Sequence, residues 1–267
     1  MRIKDKVAIV TGAASGFGEG IAKRFAEEGA EVVIADINYD AAYKVADEIG
    51  NQQAIPIKVD VSEPSDTKKM IDFTISKFGQ LDILVQNAAI GMSPQPLVET
   101  PLDLFDKLFK INVRSVYLGS YYSVPIFRKQ GLGGVIINTI STAALRPRPG
   151  LTAYNASKGA LVPMTKALAL ELAEDKIRVN GLCPVAGETA MLKEFLGKGN
   201  KIEKENIHKK FVSTVPLGRL AQPRDMANAA LYLASDEADF ITGVMFEVDG
   251  GRSIWFFLIA TEVNNNL

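Results

Sequence analysis

Short runs of mostly apolar residues alternate along this chain with longer stretches in which apolar residues recur at helical spacing. Seven of these runs predict β-strands, at 7–10, 32–35, 54–59, 81–85, 135–139, 177–182 and 243–248. Apolar runs of this length are typical of strands covered on both faces, as in a parallel sheet. The alternation therefore predicts one α/β domain, doubly wound around a mostly parallel seven-stranded sheet with right-handed crossovers.

Three positions locate helix boundaries and a break. Gly79 is the predicted C-terminal stop of the third helix. Thr100 is the predicted N-cap of a helix that has Pro101 in its first turn and runs through Val113. Pro163 falls inside the helix after the fifth strand, where it removes a backbone hydrogen bond and bends the helix.

One stretch, over 187–212, departs from the regular alternation. Leu192, Phe195 and Leu196 are followed there by a charged run over 198–210. We interpret the stretch as a mobile helical insertion over the strand ends, where a substrate lid would sit. A solvated pair of helices has the same pattern.

Composition and charge fit one domain over 1–252, followed by an apolar C-terminal extension over 253–267. In the 267-residue chain, 30 Lys and Arg balance 31 Asp and Glu to a net charge of −1, so charge gives no case for nucleic acid or an anionic membrane. A single cysteine, Cys183, allows neither an intrachain disulfide nor a cysteine metal cluster, and we expect no metal. Without a signal peptide or a bilayer-length apolar run, we expect a cytoplasmic protein.

A glycine-rich turn follows the first predicted strand. Its sequence is Thr11-Gly12-Ala13-Ala14-Ser15-Gly16-Phe17-Gly18, and a helical pattern begins directly after it. Glycines in such a turn let the backbone approach a pyrophosphate lying at the helix N-terminus. The spacing Gly-x-x-x-Gly-x-Gly differs from the widespread Gly-x-Gly-x-x-Gly, and a tight turn would also need glycine. The position between strand and helix favours the phosphate site.

An acidic residue closes the second predicted strand. Asp36 lies about 20 residues beyond the glycines, where a carboxylate accepts hydrogen bonds from both ribose hydroxyls of NAD. A 2′-phosphate there would meet its negative charge, and the neighbouring Ser15 and Ile37 supply no compensating base. We therefore predict that NAD is preferred and NADP is less favoured. Asp60 and Val61, at the end of the third strand, should lie beside the adenine.

The predicted helix after the fifth strand carries a tyrosine and a lysine one turn apart. Tyr154 and Lys158 are neighbours on one helix face, and Ser141 lies upstream after an apolar run. An ammonium about 4 Å from a phenolate favours it by about 4 kcal/mol at an effective dielectric of about 20, which is about three pKa units. That shift would bring a tyrosine towards the range of a general acid/base. Taken alone, a Tyr and a Lys at this spacing are more often surface residues of an ordinary helix with no catalytic role.

Taken together, these motifs resemble the short-chain dehydrogenase/reductase family, from the N-terminus to about Gly251. The resemblance rests on Thr11, Gly12, Gly16, Gly18, Asn87, Ala88, Asn112, Ser141, Tyr154, Lys158 and Pro184. It implies a Rossmann domain in which Tyr154 is the acid/base and Ser141 orients the substrate oxygen. It further implies that Lys158 binds the nicotinamide ribose and lowers the Tyr154 pKa, while Asn112 holds a water in a proton relay.

The resemblance also implies a homotetramer and further cofactor contacts. Residues expected to touch the cofactor on this ground include Phe17, Asn87, Ala88, Pro184, Val185 and Thr189. The chain departs from the family pattern at Gln86 and Ala89, which should make that loop bulkier beside the cofactor. Val185 also stands where the family customarily has glycine, beside the expected carboxamide site.

The predicted function is NAD-dependent interconversion of a secondary alcohol and a ketone, a small-molecule substrate. One alternative is an NADPH-dependent 3-oxoacyl-[acyl-carrier-protein] reductase, which shares every catalytic residue named. A second is a non-catalytic NAD-binding regulatory subunit, which would not need the full catalytic set. The sequence predicts a largely apolar substrate pocket formed by Ala144, Leu145, Met191, Leu192, Phe195 and Leu196. Arg146 and Arg148 could receive an anion there.

Overall fold

Seven parallel strands form the central sheet. The computed structural model describes residues 1–50, 52–197 and 200–254. The strands are β1 Val7–Thr11, β2 Glu31–Asp36, β3 Ala54–Lys58, β4 Ile83–Gln86, β5 Gly134–Thr139, β6 Ile177–Pro184 and β7 Met245–Val248. Their order across the sheet is β3-β2-β1-β4-β5-β6-β7, and each neighbouring pair is parallel. The predicted doubly wound sheet is confirmed.

Helices cover both faces of the sheet. They are α1 Gly16–Glu27, α2 Tyr39–Ile49, α3 Pro64–Phe78, α4 Leu102–Phe109, α5 Ser115–Gln130, α6 Thr142–Leu145, α7 Thr152–Glu171, α8 Leu192–Phe195, α9 Lys201–Ser213 and α10 Pro223–Ala234. Buried side chains of α1, α2 and α10 pack against one face, and those of α3, α5 and α7 pack against the other. Short apolar strands enclosed in this way bury both of their faces, which accounts for the runs seen in the sequence.

Several predicted boundaries are wrong: the seventh strand begins at Met245 rather than at residue 243, and one helix start and one further strand start are also misplaced. Thr100 does not cap α4: Pro101 occupies the N-cap position, and the Thr100 hydroxyl donates instead to the Pro96 carbonyl. The fourth strand begins at Ile83 rather than at residue 81, because the side chain of Gln130 binds both the backbone N–H and the carbonyl of Leu81. In both places a side chain or a turn competes with the regular element for backbone groups.

The helix predicted through Val113 continues to Gln130. A single π-helical turn, Lys110–Arg114, joins α4 to α5 without a break in the backbone. Such turns are rare in proteins, and those that occur are often found at functional sites. Pro163 lies within α7, as predicted.

The predicted insertion over 187–212 contains α8 and α9. Leu192 and Phe195 of α8 are buried, whereas none of the α9 side chains is buried. The segment is therefore anchored by α8, with α9 forming its outer layer. Of the predicted C-terminal extension, residues 255–267 lie outside the described part of the chain.

The carboxyl ends of all seven strands meet at one edge of the sheet. Strand order reverses between β1 and β4, and in open α/β sheets ligands bind at such a switch point. The glycine turn, Asp36 and Ser141 all follow or end strands at this edge. Within the described ranges, no helix is long and apolar enough to cross a bilayer, and no three His, Cys, Asp or Glu side chains cluster as metal ligands.

Candidate active site

A cleft of about 510 Å³ opens at the carboxyl edge of the sheet. Of the residues predicted to bind the cofactor, those lining it are Gly12, Ser15, Gly16, Phe17, Asp36, Ile37, Asp60, Val61, Asn87, Ala88, Tyr154, Lys158, Pro184, Val185 and Thr189. Ser141 lines it as well, while Gly18 and Asn112 lie behind its wall. The fold thus gathers residues from the ends of six strands, β1 to β6, into one cleft, hereafter the active-site cleft.

The glycine turn leaves room for backbone to approach a ligand. Gly12 and Gly16 have φ of +63° and +59°, a conformation that favours glycine. A Cβ on Gly18 would lie 2.2 Å from the carbonyl oxygen of Gly12, so a side chain there would block the turn from closing. The Asn87 amide donates to the carbonyls of Thr11 and Gly12 and fixes the turn against the end of β4. This cradle at the N-terminus of α1 fits a pyrophosphate.

Asp36 is held in a fixed orientation at the mouth of the cleft. One carboxylate oxygen accepts the Ala14 backbone N–H at 3.0 Å, and the other accepts the Asn38 N–H at 2.9 Å. Asn38, not Asp36, caps α2 through the Ala41 N–H. A carboxylate offers about four acceptor positions, so two bonds leave Asp36 able to accept a ribose hydroxyl.

The Tyr154 phenol is buried within the cleft. Its ring packs edge-to-face on Phe195 of α8, with ring centroids 5.2 Å apart. This burial raises the pKa of Tyr154 to about 12, although hydrogen bonding with Ser141 and the charge of Arg148 act in the opposite direction. Tyr154 is consequently a neutral phenol at physiological pH, with Ser141 beside its hydroxyl.

The pKa of Tyr154 is raised overall rather than lowered, and the lowering expected from Lys158 stays a prediction. Burial also lowers the pKa of Lys158 itself to about 8. The ammonium donates to the Thr139 carbonyl at 2.8 Å, at the end of β5. Desolvation is the largest cause of the pKa shift of each of the two side chains. One of the three ammonium donors is used by Thr139, and Lys158 still lines the cleft.

The side chain of Asn112 is fully engaged inside the protein. Its carbonyl oxygen accepts the Ile90 N–H, and its amide donates to the Ile90 carbonyl and to the Ser157 hydroxyl. Asn112 thereby ties the π-helical turn to the loop after β4 and to the Tyr154 helix. Its role in holding a water stays a prediction.

Gln86 does not make the loop bulkier beside the cofactor, contrary to the expectation. Its side chain turns away from the cleft and donates to Ser120 and Asn138 in the core. Gly119 on α5 makes this possible, because a Cβ there would lie 2.1 Å from the Gln86 side-chain oxygen. Ala89 does line the cleft.

The substrate end of the cleft matches the predicted pocket in part. Lining residues predicted for it are Arg146, Arg148, Met191, Leu192 and Phe195. Ala144, Leu145 and Leu196 do not line it, and that part of the prediction is wrong. Leu145 is exposed, Ala144 packs beside α5 and β6, and Leu196 packs into a separate cluster with Val185 and Val215.

Sequence reasoning missed several lining residues. They include Lys107, Ile111 and Arg252. Lys107 and Ile111 are one helical turn apart, so the helix that carries Asn112 could have indicated them. Arg252 directly follows the last predicted strand and the pair Gly250-Gly251, and only the closure of the sheet brings it to the cleft.

Known proteins are similar to this chain over about 95% of its length. Residues 12–253 match the family described as Enoyl-(Acyl carrier protein) reductase. The chain is 41% identical to 4-formylbenzenesulfonate dehydrogenase of Comamonas testosteroni over 95% of this chain and 100% of that protein. It is 39% identical to 7alpha-hydroxysteroid dehydrogenase of Escherichia coli K12, over 94% and 95%.

A solved structure is also close in fold and sequence. The 3-ketoacyl-(acyl-carrier-protein) reductase from Brucella melitensis, complexed with NADH, superposes with a TM-score of 0.88 at 48% identity, covering 94% of this chain and 99% of that one. Extended matches at these identities establish common ancestry as well as a common fold. This chain belongs to the short-chain dehydrogenase/reductase family and is an oxidoreductase of alcohols and ketones that binds a nicotinamide cofactor.

Proposed function

We propose that this protein interconverts a secondary alcohol and a ketone with NAD(H), and that Tyr154 moves the proton. The observation that carries the proposal is the buried Tyr154 phenol beside Ser141, in the same cleft as the glycine cradle and Asp36. The two hydroxyls can exchange a proton with the substrate oxygen. The glycine cradle can hold the pyrophosphate of the cofactor that carries the hydride. A turnover screen of alcohols and ketones with each nicotinamide cofactor tests it, and the absence of turnover with any of them would contradict it.

Proton transfer is the part of the reaction that the side chains perform. In ketone reduction, the Tyr154 phenol donates its proton to the substrate oxygen while Ser141 donates a second hydrogen bond to that oxygen. In alcohol oxidation the substrate hydroxyl returns its proton to the Tyr154 phenolate. When bound, NADH supplies the hydride for reduction and NAD accepts it in oxidation. Since the pKa of Tyr154 is about 12, the phenol is already protonated at neutral pH, which favours reduction there and oxidation at alkaline pH.

The chain's own residues account for holding the cofactor. The cradle of Gly12 and Gly16 would receive the pyrophosphate, and Lys158 the nicotinamide ribose through an ammonium donor not used by Thr139. Asp36 would accept the adenosine ribose hydroxyls. These assignments support the preference for NAD, because Ser15 and Ile37, which line the cleft beside Asp36, carry no positive charge, and Lys58, opposite Asp36 on β3, does not line the cleft.

Cofactor kinetics test this preference. Repulsion of about 2–3 kcal/mol between Asp36 and a 2′-phosphate corresponds to roughly 30- to 150-fold discrimination. We expect kcat/KM for NADH to exceed that for NADPH by about this factor, and Asp36→Ala to remove most of the difference. The matched control is Asp40→Ala, which removes an exposed carboxylate four residues further along the chain and should leave the cofactor preference unchanged. Equal use of both cofactors by the wild-type enzyme would contradict the role of Asp36.

A second candidate is a 3-oxoacyl-[acyl-carrier-protein] reductase, which the 48% identity to the Brucella melitensis structure favours. That protein was crystallised with NADH, so cofactor preference alone does not separate the two functions. Kinetics with acetoacetyl-acyl-carrier protein, compared with acetoacetyl-CoA and small ketones, do separate them. A kcat/KM at least tenfold higher for the carrier-bound substrate would favour the second candidate.

A further inference from the structure

Arginine side chains gather at the substrate end of the active-site cleft. Arg146, Arg148 and Arg252 all line it. Of the ion pairs between described residues, none includes Arg148 or Arg252. A cation taken partly out of water without an anion beside it is costly, and an anionic ligand would reduce that cost.

Arg148 is firmly positioned. It lies between Pro147 and Pro149, whose rings restrict the backbone. Its carbonyl accepts the side-chain amide of Asn155 at 2.8 Å, so the loop is tied to the residue that follows Tyr154. The guanidinium carbon lies 4.5 Å from the centre of the Phe211 ring on α9. A planar guanidinium held by stacking in this way is preorganised to receive an oxyanion through two parallel hydrogen bonds.

The positive charge of Arg148 is not balanced by the charged groups that act on it most strongly. Burial, with repulsion from Arg252, lowers the pKa of Arg148 to about 10, so it remains charged at neutral pH. Asp249 attracts Arg252, but its two oxygens already accept the N–H groups of Gly251 and Ser253. Among the described residues, no carboxylate is a main cause of the pKa shift of Arg148, and the Glu194 carboxylate, whose charge acts on Tyr154, already accepts the Gly91 N–H.

The location of Arg148 favours the substrate over the cofactor as its partner. The charge of Arg148 acts on the Tyr154 phenol, where the reacting oxygen of a substrate would lie. Its stacking partner, Phe211, packs with Met191 and Phe195 in the apolar cluster that surrounds Tyr154. The pyrophosphate of a dinucleotide belongs at the N-terminus of α1, on the glycine cradle.

We propose that the substrate carries an anionic group, a carboxylate or a sulfonate, and that Arg148 binds this group while Tyr154 faces the carbonyl or hydroxyl. The inference rests on the proposed function and names the substrate class for the same site. An apolar body between the two polar ends matches the lining by Met191, Leu192 and Phe195. Arg252 adds positive potential on the same side of the cleft.

Matched ketones test the proposal. We expect 4-acetylbenzoate and 4-acetylbenzenesulfonate to be reduced with kcat/KM about 10- to 100-fold above that of neutral 4-acetylbenzamide, mainly through a lower KM. The aliphatic pair 4-oxopentanoate and 4-oxopentanamide extends the comparison to a shorter spacing. The two acids also distinguish a planar carboxylate from a tetrahedral sulfonate. Reduction of the neutral amides as efficiently as of the acids would overturn the proposal while leaving the proposed function intact.

Substitutions at Arg148 test whether this residue causes the preference for the acids over the amides. We expect Arg148→Met to lower the acid-to-amide ratio of kcat/KM by about 10- to 100-fold, and Arg148→Lys to restore part of it. Lys193→Met removes an exposed positive charge from α8 and is the control, expected to leave the ratio within about twofold. A ratio unchanged by Arg148→Met would overturn the proposal.

Binding measurements keep the two proposals distinguishable. If no ketone is turned over, the proposed function fails, and calorimetric titration of the NADH-saturated protein with 4-acetylbenzoate and 4-acetylbenzamide still decides the role of Arg148. Tighter binding of the acid that disappears in Arg148→Met supports the anion site. Equal binding of acid and amide contradicts it.

Discussion

Lys158 is buried, and its burial lowers the free energy of unfolding only while its amine is protonated. Burial lowers its pKa from 10.5 to about 8. Because the folded-state pKa is the lower one, the cost is fully present below pH 8 and disappears as the pH rises towards 10.5. Between pH 8 and pH 10 the linkage amounts to about 2 kcal/mol.

We therefore predict that the wild-type protein gains about 2 kcal/mol of unfolding free energy relative to Lys158→Met between pH 8 and pH 10. Urea unfolding of the cofactor-free proteins at the two pH values measures this difference. Lys166→Met, which removes an exposed lysine from the same helix, is the control and should show little change. A difference between wild type and Lys158→Met that is constant with pH would show that Lys158 is not strongly desolvated.

At the residue scale, spacing predicted which side chains meet, and burial decided what they do. The glycine turn, Asp36 and the Tyr154 helix were predictable because their motifs are local and sit at strand ends. The direction of the Tyr154 pKa shift was not, because desolvation by Phe195 and its neighbours comes from distant parts of the chain. Likewise, Gln86 points into the core only because Gly119 of another element leaves space for it.

At the scale of elements, α8 shields the Tyr154 phenol from water. Phe195 is buried against the Tyr154 ring, and Glu194 accepts the Gly91 N–H at 2.9 Å, which fastens α8 to the loop after β4. Removing the Phe195 ring would admit water to the phenol. Since burial raises the pKa of Tyr154, hydration should lower it towards its ordinary value of about 10.

We predict that Phe195→Ala moves the pH profile of alcohol oxidation to lower pH by about one unit, because the phenolate then forms more readily. The measurement is kcat against pH at saturating cofactor, and kcat/KM should fall as packing is lost. Leu196→Ala, in the same segment but directed into another cluster, is the matched control. An unshifted profile in Phe195→Ala would mean that α8 does not set the solvation of Tyr154.

Elements themselves were predictable to different degrees. The buried strands follow from apolar runs, since a strand covered on both faces leaves no room for polar residues. Thr100 and the start of β4 were misplaced, because the competing hydrogen bonds to Pro96 and from Gln130 are tertiary or turn-specific. The π-helical turn around Asn112 has no sequence pattern of its own, and it is stabilised by contacts with Ile90 and Ser157.

For the whole molecule, two of the three helices that cover one face of the sheet, α5 and α7, also present apolar groups outwards. Tyr117 and Tyr121 stack on the outer face of α5 with centroids 6.2 Å apart, and both are exposed. Leu170 is exposed on α7. A contiguous exposed apolar patch is typical of a surface that meets another subunit, and the stacked pair of Tyr117 and Tyr121 is the candidate for such a patch.

We predict a homotetramer in solution, and light scattering at micromolar concentration measures its mass. Tyr121→Glu should weaken the assembly by introducing a charge at this face. Tyr43→Glu, at an exposed tyrosine of α2, is the control and should leave the mass unchanged. A monomer mass for the wild-type protein would contradict the prediction.

The proposed reaction depends on proton transfer by the Tyr154 phenol, and Tyr154→Phe tests this role most directly. The phenylalanine ring keeps the contact with Phe195 but has no proton to give, so turnover should fall about a hundredfold or more. NADH affinity, followed by nucleotide fluorescence, should stay within about threefold of wild type. Tyr122→Phe, which removes a phenol outside the cleft, should retain wild-type turnover. If Tyr154→Phe keeps most of its turnover while folding and binding NADH normally, Tyr154 is not the acid/base and the proposed mechanism is wrong.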